Sequence, residues 1–356
     1  MSWEENVRKV VPYVPGEQPK VEGSVIKLNT NEFPYPPSPK VEEALKNTDV
    51  NRFKLYPNVY GDPLRTKIAE YYGFKKEEVF VGVGSDDVLS MIFLTFFNSD
   101  KPVLFPDVTY SFYDVWADVY RIPYVSLPLT EDFNINVSDY FRENGGIVIA
   151  NPNAPTGIEL PGKLEVIENI VKGNSGSVVV VDEAYVDFGA TSALELVNKY
   201  DNLLVVQTFS KSRAFAGMRI GYAIGNEKLI KYLNDVKFSV NSYTMNQPSI
   251  IYGVAAIEDK DYFNETVAKV IATRERVRNE LETLGFMCLE SKTNFIFCSH
   301  QTIKAVDIFE YLKTQNIYVR HFKKPQRVEN YLRISIGTDE EMDTLIEKLN
   351  QYLERN

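Results

Sequence analysis

SVVVVDEAY (residues 177–185) and LLVVQTFS (203–210) decide the fold. Each is a continuous apolar run that stops at polar side chains, without the alternation of a strand that has one wet face. Runs of the same kind recur as VFVGVG (79–84), PVLFP (102–106), IVIA (147–150) and RIGYAIG (219–225). Between them lie helical stretches: SDDVLSMIFLTFF (85–97), one near 110–120 and one near 161–172. Strands buried on both faces and separated by helices imply an α/β protein with a largely parallel sheet covered on both sides.

The flanks read differently. VPYVPGEQP (11–19) and NTNEFPYPPSP (29–39) are too rich in proline for a core element and read as an extended, wrapping arm. Ser38-Pro39 and Asp62-Pro63 carry the cap-then-proline signal of helix starts. Beyond about residue 260 a long charged helix, KDYFNETVAKVIATRERVRNELETLG, leads into the shorter strands FMCLE, NFIFCS, IYVRHF and YLRISIG. The expected organisation is an arm that joins a small domain (1–44), a large domain (45–260) and a small α+β domain (261–356).

Bulk properties narrow the function. A net charge of −10 over 356 residues argues against nucleic acid or an anionic membrane as partner, so any bound anion is held by local basic groups. Two cysteines, Cys288 and Cys298, fit no CxxC pattern, and with only two histidines a His/Cys metal site is not expected. No stretch has the length of a signal peptide's apolar core or of a membrane span, which leads to the expectation of a cytoplasmic protein.

In doubly wound sheets ligands sit beyond the carboxyl ends of the strands, so the polar residues there are the candidates. Gly82, Gly84, Ser85 and Asp86 open a helix whose free N–H groups suit a phosphate, although a plain strand–helix turn has the same look. ANPNAPTG (150–157) is a polar turn whose asparagines could hold a ligand oxygen, and whose X-Pro bonds are candidates for cis geometry. Asp182, at the end of four valines, is either a salt-bridge or capping carboxylate or a counter-ion for a buried cation, with Tyr185 close by. Lys211, between two serines at another strand end, either snorkels or serves as a desolvated amine nucleophile and base. Thr208, Ser210 and the guanidinium of Arg219 add donors for an anion. Pyridoxal 5'-phosphate asks for this combination: an amine for its aldehyde, a carboxylate for its ring nitrogen, donors for its phenolic oxygen and a cradle for its phosphate.

The order NPNAPTG, DEAY, TFSKSRAFAGMRIGY resembles the fold-type-I aminotransferases. VPYVPGE, KLNTNEFPYPPSP, LYPNVYGDPLR, GVGSDDVL and VTYSFY are similar to the histidinol-phosphate branch of that family, so the resemblance spans essentially the whole chain. It implies that Lys211 bonds the cofactor and shuttles a proton, Asp182 pairs with the ring nitrogen, Tyr185 with the phenolic oxygen, and Tyr110 stacks on the ring. It further implies that Ser85, Thr208, Ser210 and Arg219 take the phosphate, joined by Tyr56 of a second subunit in a homodimer. Tyr13, Arg320 and Arg333 would grip the substrate anions, namely histidinol phosphate and glutamate or 2-oxoglutarate. The neighbouring activities are threonine-phosphate decarboxylation and aromatic amino-acid transamination. A cofactor- or nucleotide-binding protein without catalysis is a further reading, but it needs neither Lys211 nor Asp182. Two departures stand out. Ala154 occupies the position where the family usually has an asparagine on the phenolic oxygen, leaving Asn153, Asn151 or Tyr185 alone to make that contact, with Asn153 preferred. NEFPYPPSP stands where the family often has NENPYGPSP, in the arm that lines the substrate pocket.

Overall fold

The computed structural model describes residues 2–19 and 25–355. Among the described residues thirteen strands run in chain order: β1 (Ile26–Lys27), β2 (Val79–Gly82), β3 (Val103–Pro106), β4 (Tyr124–Leu127), β5 (Gly146–Ala150), β6 (Val179–Asp182), β7 (Leu203–Thr208), β8 (Gly221–Gly225), β9 (Phe286–Cys288), β10 (Phe295–His300), β11 (Ile317–Tyr318), β12 (Arg320–His321) and β13 (Leu332–Ser335). Seven form one sheet in the order β2-β8-β7-β6-β5-β3-β4, and β8 alone runs against its neighbours. This is the architecture the apolar runs imply. Only edge strand β4 escapes the reading, because YVSL is largely exposed and carries no continuous apolar signal.

Two cores explain why the central runs are apolar throughout. On one face Val179, Val181, Leu203 and Val205 pack with Ile167, Ile170 and Ile250. On the other, Val180, Leu204 and Val206 pack with Val88, Ile92, Phe93 and Tyr113. Burying each such side chain contributes about 1.5–3 kcal/mol. A third core joins the long helix Lys260–Thr283 to β10, β13 and the last helix, Asp339–Leu353. Leu28 of the arm belongs to it, since β1 pairs in parallel with β11 and Ser335 N–H donates to Leu28 O at 2.9 Å.

Helix starts follow the sequence with one correction. Ser38 caps Pro39–Lys46, accepting the Lys40 N–H at 3.1 Å. Asp62 is not a cap: it is the first residue of the helix Asp62–Tyr72, behind Gly61 in the left-handed region (φ 67°). Asn58 Oδ1 accepts the Asp62 N–H at 3.0 Å, which frees the Asp62 carboxylate to pair with Arg65 at 3.1 Å. IYVRHF also splits in two: Ile317–Tyr318 pairs with the arm and Arg320–His321 pairs with β13. Among the described residues no helix is long and apolar enough to cross a membrane.

Candidate active site

Sheet register brings the strand ends together. Ala150 stands beside Asp182, Asp182 beside Val206, and Thr208 and Gly82 both beside Gly221. Because β8 runs antiparallel, its start, just after Arg219, lies at the edge where β5, β6 and β7 end. A cleft at this edge is lined by Ser85, Asp86, Tyr110, Asp182, Tyr185, Thr208, Ser210, Lys211 and Arg219, with Ala150, Pro152, Ala154 and Ala184 as its apolar surface.

Asp182 is the deepest charge of the group, only 5% exposed. Burial pushes its carboxyl up to about 6, against the stabilising bonds from Tyr113 Oη (2.8 Å) and Ala184 N–H (3.2 Å). A buried carboxylate without a cation is costly, so this one suits a cationic partner inside the cleft. The Tyr113 hydroxyl is held well above the usual tyrosine range by burial and by Asp182, so it stays a donor. Nothing local in VTYSFY marks Tyr113 for this task.

Lys211 leaves the end of β7 in a turn. Its ammonium donates to the Thr30 carbonyl at 3.3 Å and lies 5.6 Å from the centre of the Tyr185 ring. Tyr185 in turn accepts the Asn31 Nδ2–H at 2.9 Å. The arm therefore closes over the cleft through Thr30 and Asn31, two contacts that NTNEF does not announce.

The anion end is built on close approach. Gly84 (φ 85°) precedes the helix Ser85–Phe96 and brings no side-chain cap to its first turn. A Cβ at Gly84 would stand 2.5 Å from Arg219 Nη2, and one at Gly221 would stand 2.2 Å from Gly84 C. Only glycine lets the guanidinium and the helix N-terminus share one cradle. Arg219 donates to Ser210 Oγ at 3.4 Å and pairs with Asp86 at 3.2 Å, while Tyr110 Oη donates to Asp86 at 2.7 Å. Burial and Asp86 raise the Tyr110 hydroxyl well above its ordinary range. Thr208 Oγ1 accepts the Ser210 N–H at 3.1 Å, which shapes the turn beside Arg219. The lining fits a phosphorylated pyridine aldehyde in kind, since it offers an anion cradle, a buried carboxylate and an amine.

Asn153 and Tyr56 are not among the residues that line the cleft. Asn153 spends its amide on the turn itself: Nδ2 donates to Val108 O (2.9 Å) and Thr156 Oγ1 (3.0 Å), and Oδ1 accepts from Thr109 (2.8 Å). This differs from the expectation that Asn153 replaces the contact missing at Ala154. The turn, with cis bonds at Asn151-Pro152 and Ala154-Pro155, presents Pro152 and Ala154 to the cleft instead. Tyr56 is 80% exposed and stacks on Tyr243 at 4.4 Å.

Of the substrate candidates, Arg333 lies within electrostatic reach of Tyr13, Arg320 and the cleft residues Tyr110 and Tyr185. Arg320 and Arg333 stand directly opposite on β12 and β13. Burial lowers Arg333 most, and the neighbouring Arg320 lowers it further, while Tyr185, Tyr13 and Tyr110 act in the opposite sense. Arg333 donates to Asn29 O at 3.1 Å, while its Nε is buried without a partner. Tyr13 stacks on Phe112 at 4.2 Å, next to Tyr110.

The aminotransferase class I and II family pattern matches residues 23–349. Curated relatives named histidinol-phosphate aminotransferase are 51% identical over 351 residues in Clostridium acetobutylicum (99% of both chains) and 49% identical over 353 residues in Lactococcus lactis subsp. cremoris SK11 (99% of this chain, 98% of that one). A similar fold occurs in the Sinorhizobium meliloti histidinol-phosphate aminotransferase solved in complex with pyridoxal-5'-phosphate: TM-score 0.83, 23% identity, 93% and 91% of the two chains covered. The Clostridium acetobutylicum crystal structure of that name gives a TM-score of 0.84 at 20% identity, covering 93% and 100%. A chain with this cleft, matched along nearly its whole length at about half identity, belongs to the aminotransferase class I and II family, among the histidinol-phosphate aminotransferases.

Proposed function

We propose that the protein transfers an amino group between L-histidinol phosphate and 2-oxoglutarate, giving imidazole-acetol phosphate and glutamate in histidine biosynthesis, with pyridoxal 5'-phosphate as cofactor. The observation that carries this is that a lysine amine, a buried carboxylate and a guanidinium–hydroxyl cradle line one cleft. When bound, the cofactor supplies an aldehyde for amines and a protonated ring that withdraws electrons from the substrate Cα.

The chain's own groups do the rest. Lys211 holds the cofactor and carries the proton to and from the substrate Cα. Asp182, kept in place by Tyr113, holds the proton on the ring nitrogen. Tyr185 donates to the phenolic oxygen and Tyr110 covers the ring face. Ser85, Thr208, Ser210 and Arg219 take the phosphate, Gly84 makes room for it, and Asp86 orients Arg219. Arg320 and Arg333 hold the substrate's anionic end, with Tyr13 of the arm beside them; two guanidinium groups directly opposite each other on neighbouring strands favour an anion.

A cytoplasmic homodimer completes the proposal, with Tyr56 reaching the phosphate of the partner's site. Val50, Phe53, Leu55, Tyr56 and Tyr243 form an exposed apolar surface, which supports burial against a second copy. The proposal keeps the division into an arm (1–44), a large domain (45–260) and a small domain (261–356), supported by the separate packing of the long helix Lys260–Thr283 with β10 and β13. The test is amino transfer to 2-oxoglutarate from histidinol phosphate, phenylalanine and phosphothreonine in parallel. Preference for histidinol phosphate is expected; a larger kcat/KM with phenylalanine, or carbon dioxide released from phosphothreonine, would replace the assignment.

A further inference from the structure

Asn31 is a buried arm residue whose polar atoms are all engaged. It is 1% exposed and adopts a left-handed backbone (φ 55°), which asparagine tolerates better than most residues. Its N–H donates to Ser335 Oγ at 2.9 Å, and its carbonyl accepts from Asn294 Nδ2 at 3.1 Å. Ser335 Oγ, having accepted that N–H, returns its own proton to Asn31 Oδ1 at 2.8 Å. The amide is thereby oriented with Nδ2 toward the Tyr185 hydroxyl, 2.9 Å away.

We infer that Asn31 is a positioning residue for Tyr185, fixing its hydroxyl so that the phenolic proton is offered to the cofactor's phenolic oxygen where Ala154 supplies no donor. A tyrosine hydroxyl has one proton and accepts through its lone pairs. Once Asn31 occupies the acceptor side, the proton remains for a partner in the cleft, which Tyr185 and Ala154 both line. A donor already accepting a hydrogen bond makes a stronger next bond in the chain. The usual asparagine at position 154 would act from the turn on the large sheet. Here that turn presents a methyl group, Asn153 is used up behind it, and the fixed polar group comes from the arm instead.

The inference rests on the cofactor assignment above, and a double-mutant cycle separates the two. Cofactor-free protein is prepared as wild type, Asn31→Ala, Tyr185→Phe and the double variant, and each is titrated with pyridoxal 5'-phosphate. Asn31→Ala should weaken cofactor affinity about tenfold, the scale of one well-placed hydrogen bond. In the Tyr185→Phe background the same change should have little effect. Asn31→Asp should weaken affinity at least as much at pH 8, because its carboxylate accepts the Tyr185 proton and turns it away from the cleft. It should also shift the pH at which the absorbance of the bound cofactor changes. Ser335→Ala, which frees Asn31 Oδ1, should shift affinity in the same direction and covers the case in which Asn31→Ala does not fold. Equal losses from Asn31→Ala with and without the Tyr185 hydroxyl would make Asn31 only a joint between arm and small domain. A lowered melting temperature with unchanged affinity would do the same. Failure of wild type to take up the cofactor would instead overturn the functional assignment.

Discussion

Arg320 and Arg333 stand directly opposite each other on neighbouring antiparallel strands, and the charge of Arg320 lowers the Arg333 guanidinium. Like charges directly opposite in a sheet are unfavourable, so the pair is a standing cost that a bound anion relieves. Planar guanidinium forks grip both carboxylate and phosphate, whereas an ammonium keeps charge but loses geometry. Arg333→Lys is therefore expected to raise KM about 10- to 100-fold for both half-reactions, as expected for loss of a charged hydrogen bond of about 1.5–3 kcal/mol. Arg320→Lys should act mainly on the phosphorylated substrate. Single-turnover kinetics in each direction check this; unchanged transfer from histidinol phosphate in both variants places its phosphate elsewhere.

Lys211→Ala should leave a folded protein without amino transfer. Its amine makes one long hydrogen bond, 3.3 Å to Thr30 O, so little stability rests on it. General acid–base work alone supplies about 10²- to 10⁴-fold, and loss of covalent attachment adds to that. Melting temperature and turnover, measured on one preparation, should separate cleanly. Turnover within tenfold of wild type would remove Lys211 from the mechanism.

Asp182 links activity to stability through pH. Its carboxyl rises from 3.8 to about 6 in the folded, cofactor-free protein, mainly through burial. A raised pKa means the fold favours the protonated form. That contribution is fully present below about 4 and is lost as pH climbs through about 6, a swing of about 3 kcal/mol. Asp182→Asn cannot ionise. Without cofactor it should match wild type below about pH 4 and melt several degrees higher at pH 8; with cofactor it should transfer amino groups orders of magnitude more slowly. Glu183, raised to about 7 by burial among Ser192, Ala193 and Gln207, is common to both proteins and cancels in the comparison. Parallel melting curves at all pH values would show that Asp182 is not strained by burial.

Tyr56 tests the shared site. If each site takes Lys211 from one protomer and Tyr56 from its partner, then Tyr56→Ala and Lys211→Ala proteins, unfolded and refolded together, regain one intact site per mixed dimer. Random pairing in a two-fold dimer predicts about a quarter of the wild-type rate, against almost none for either variant alone. A mixture no faster than the sum of its parts would place Tyr56 outside the partner's site.

Arg219 joins the site only because β8 runs antiparallel; the sequence itself indicated the α/β sheet, its parallel core and the strand-end positions of Asp182 and Lys211. Those features are local: a strand buried on both faces must be apolar throughout, and the first polar residue after it must lie at the sheet edge. The tertiary structure decided what depends on distant segments meeting. Asn31 reaches Tyr185 across 154 positions and Ser335 across 304, and Tyr113 reaches Asp182 across 69. Asn153 looked like a ligand donor because its residue type allows that; only packing shows its amide already spent on Val108, Thr109 and Thr156. Cys288 and Cys298, unremarkable in spacing, come to lie directly opposite on β9 and β10. Hydrogen-bond partners at such separations are set by sheet register and chain path, which no local periodicity encodes.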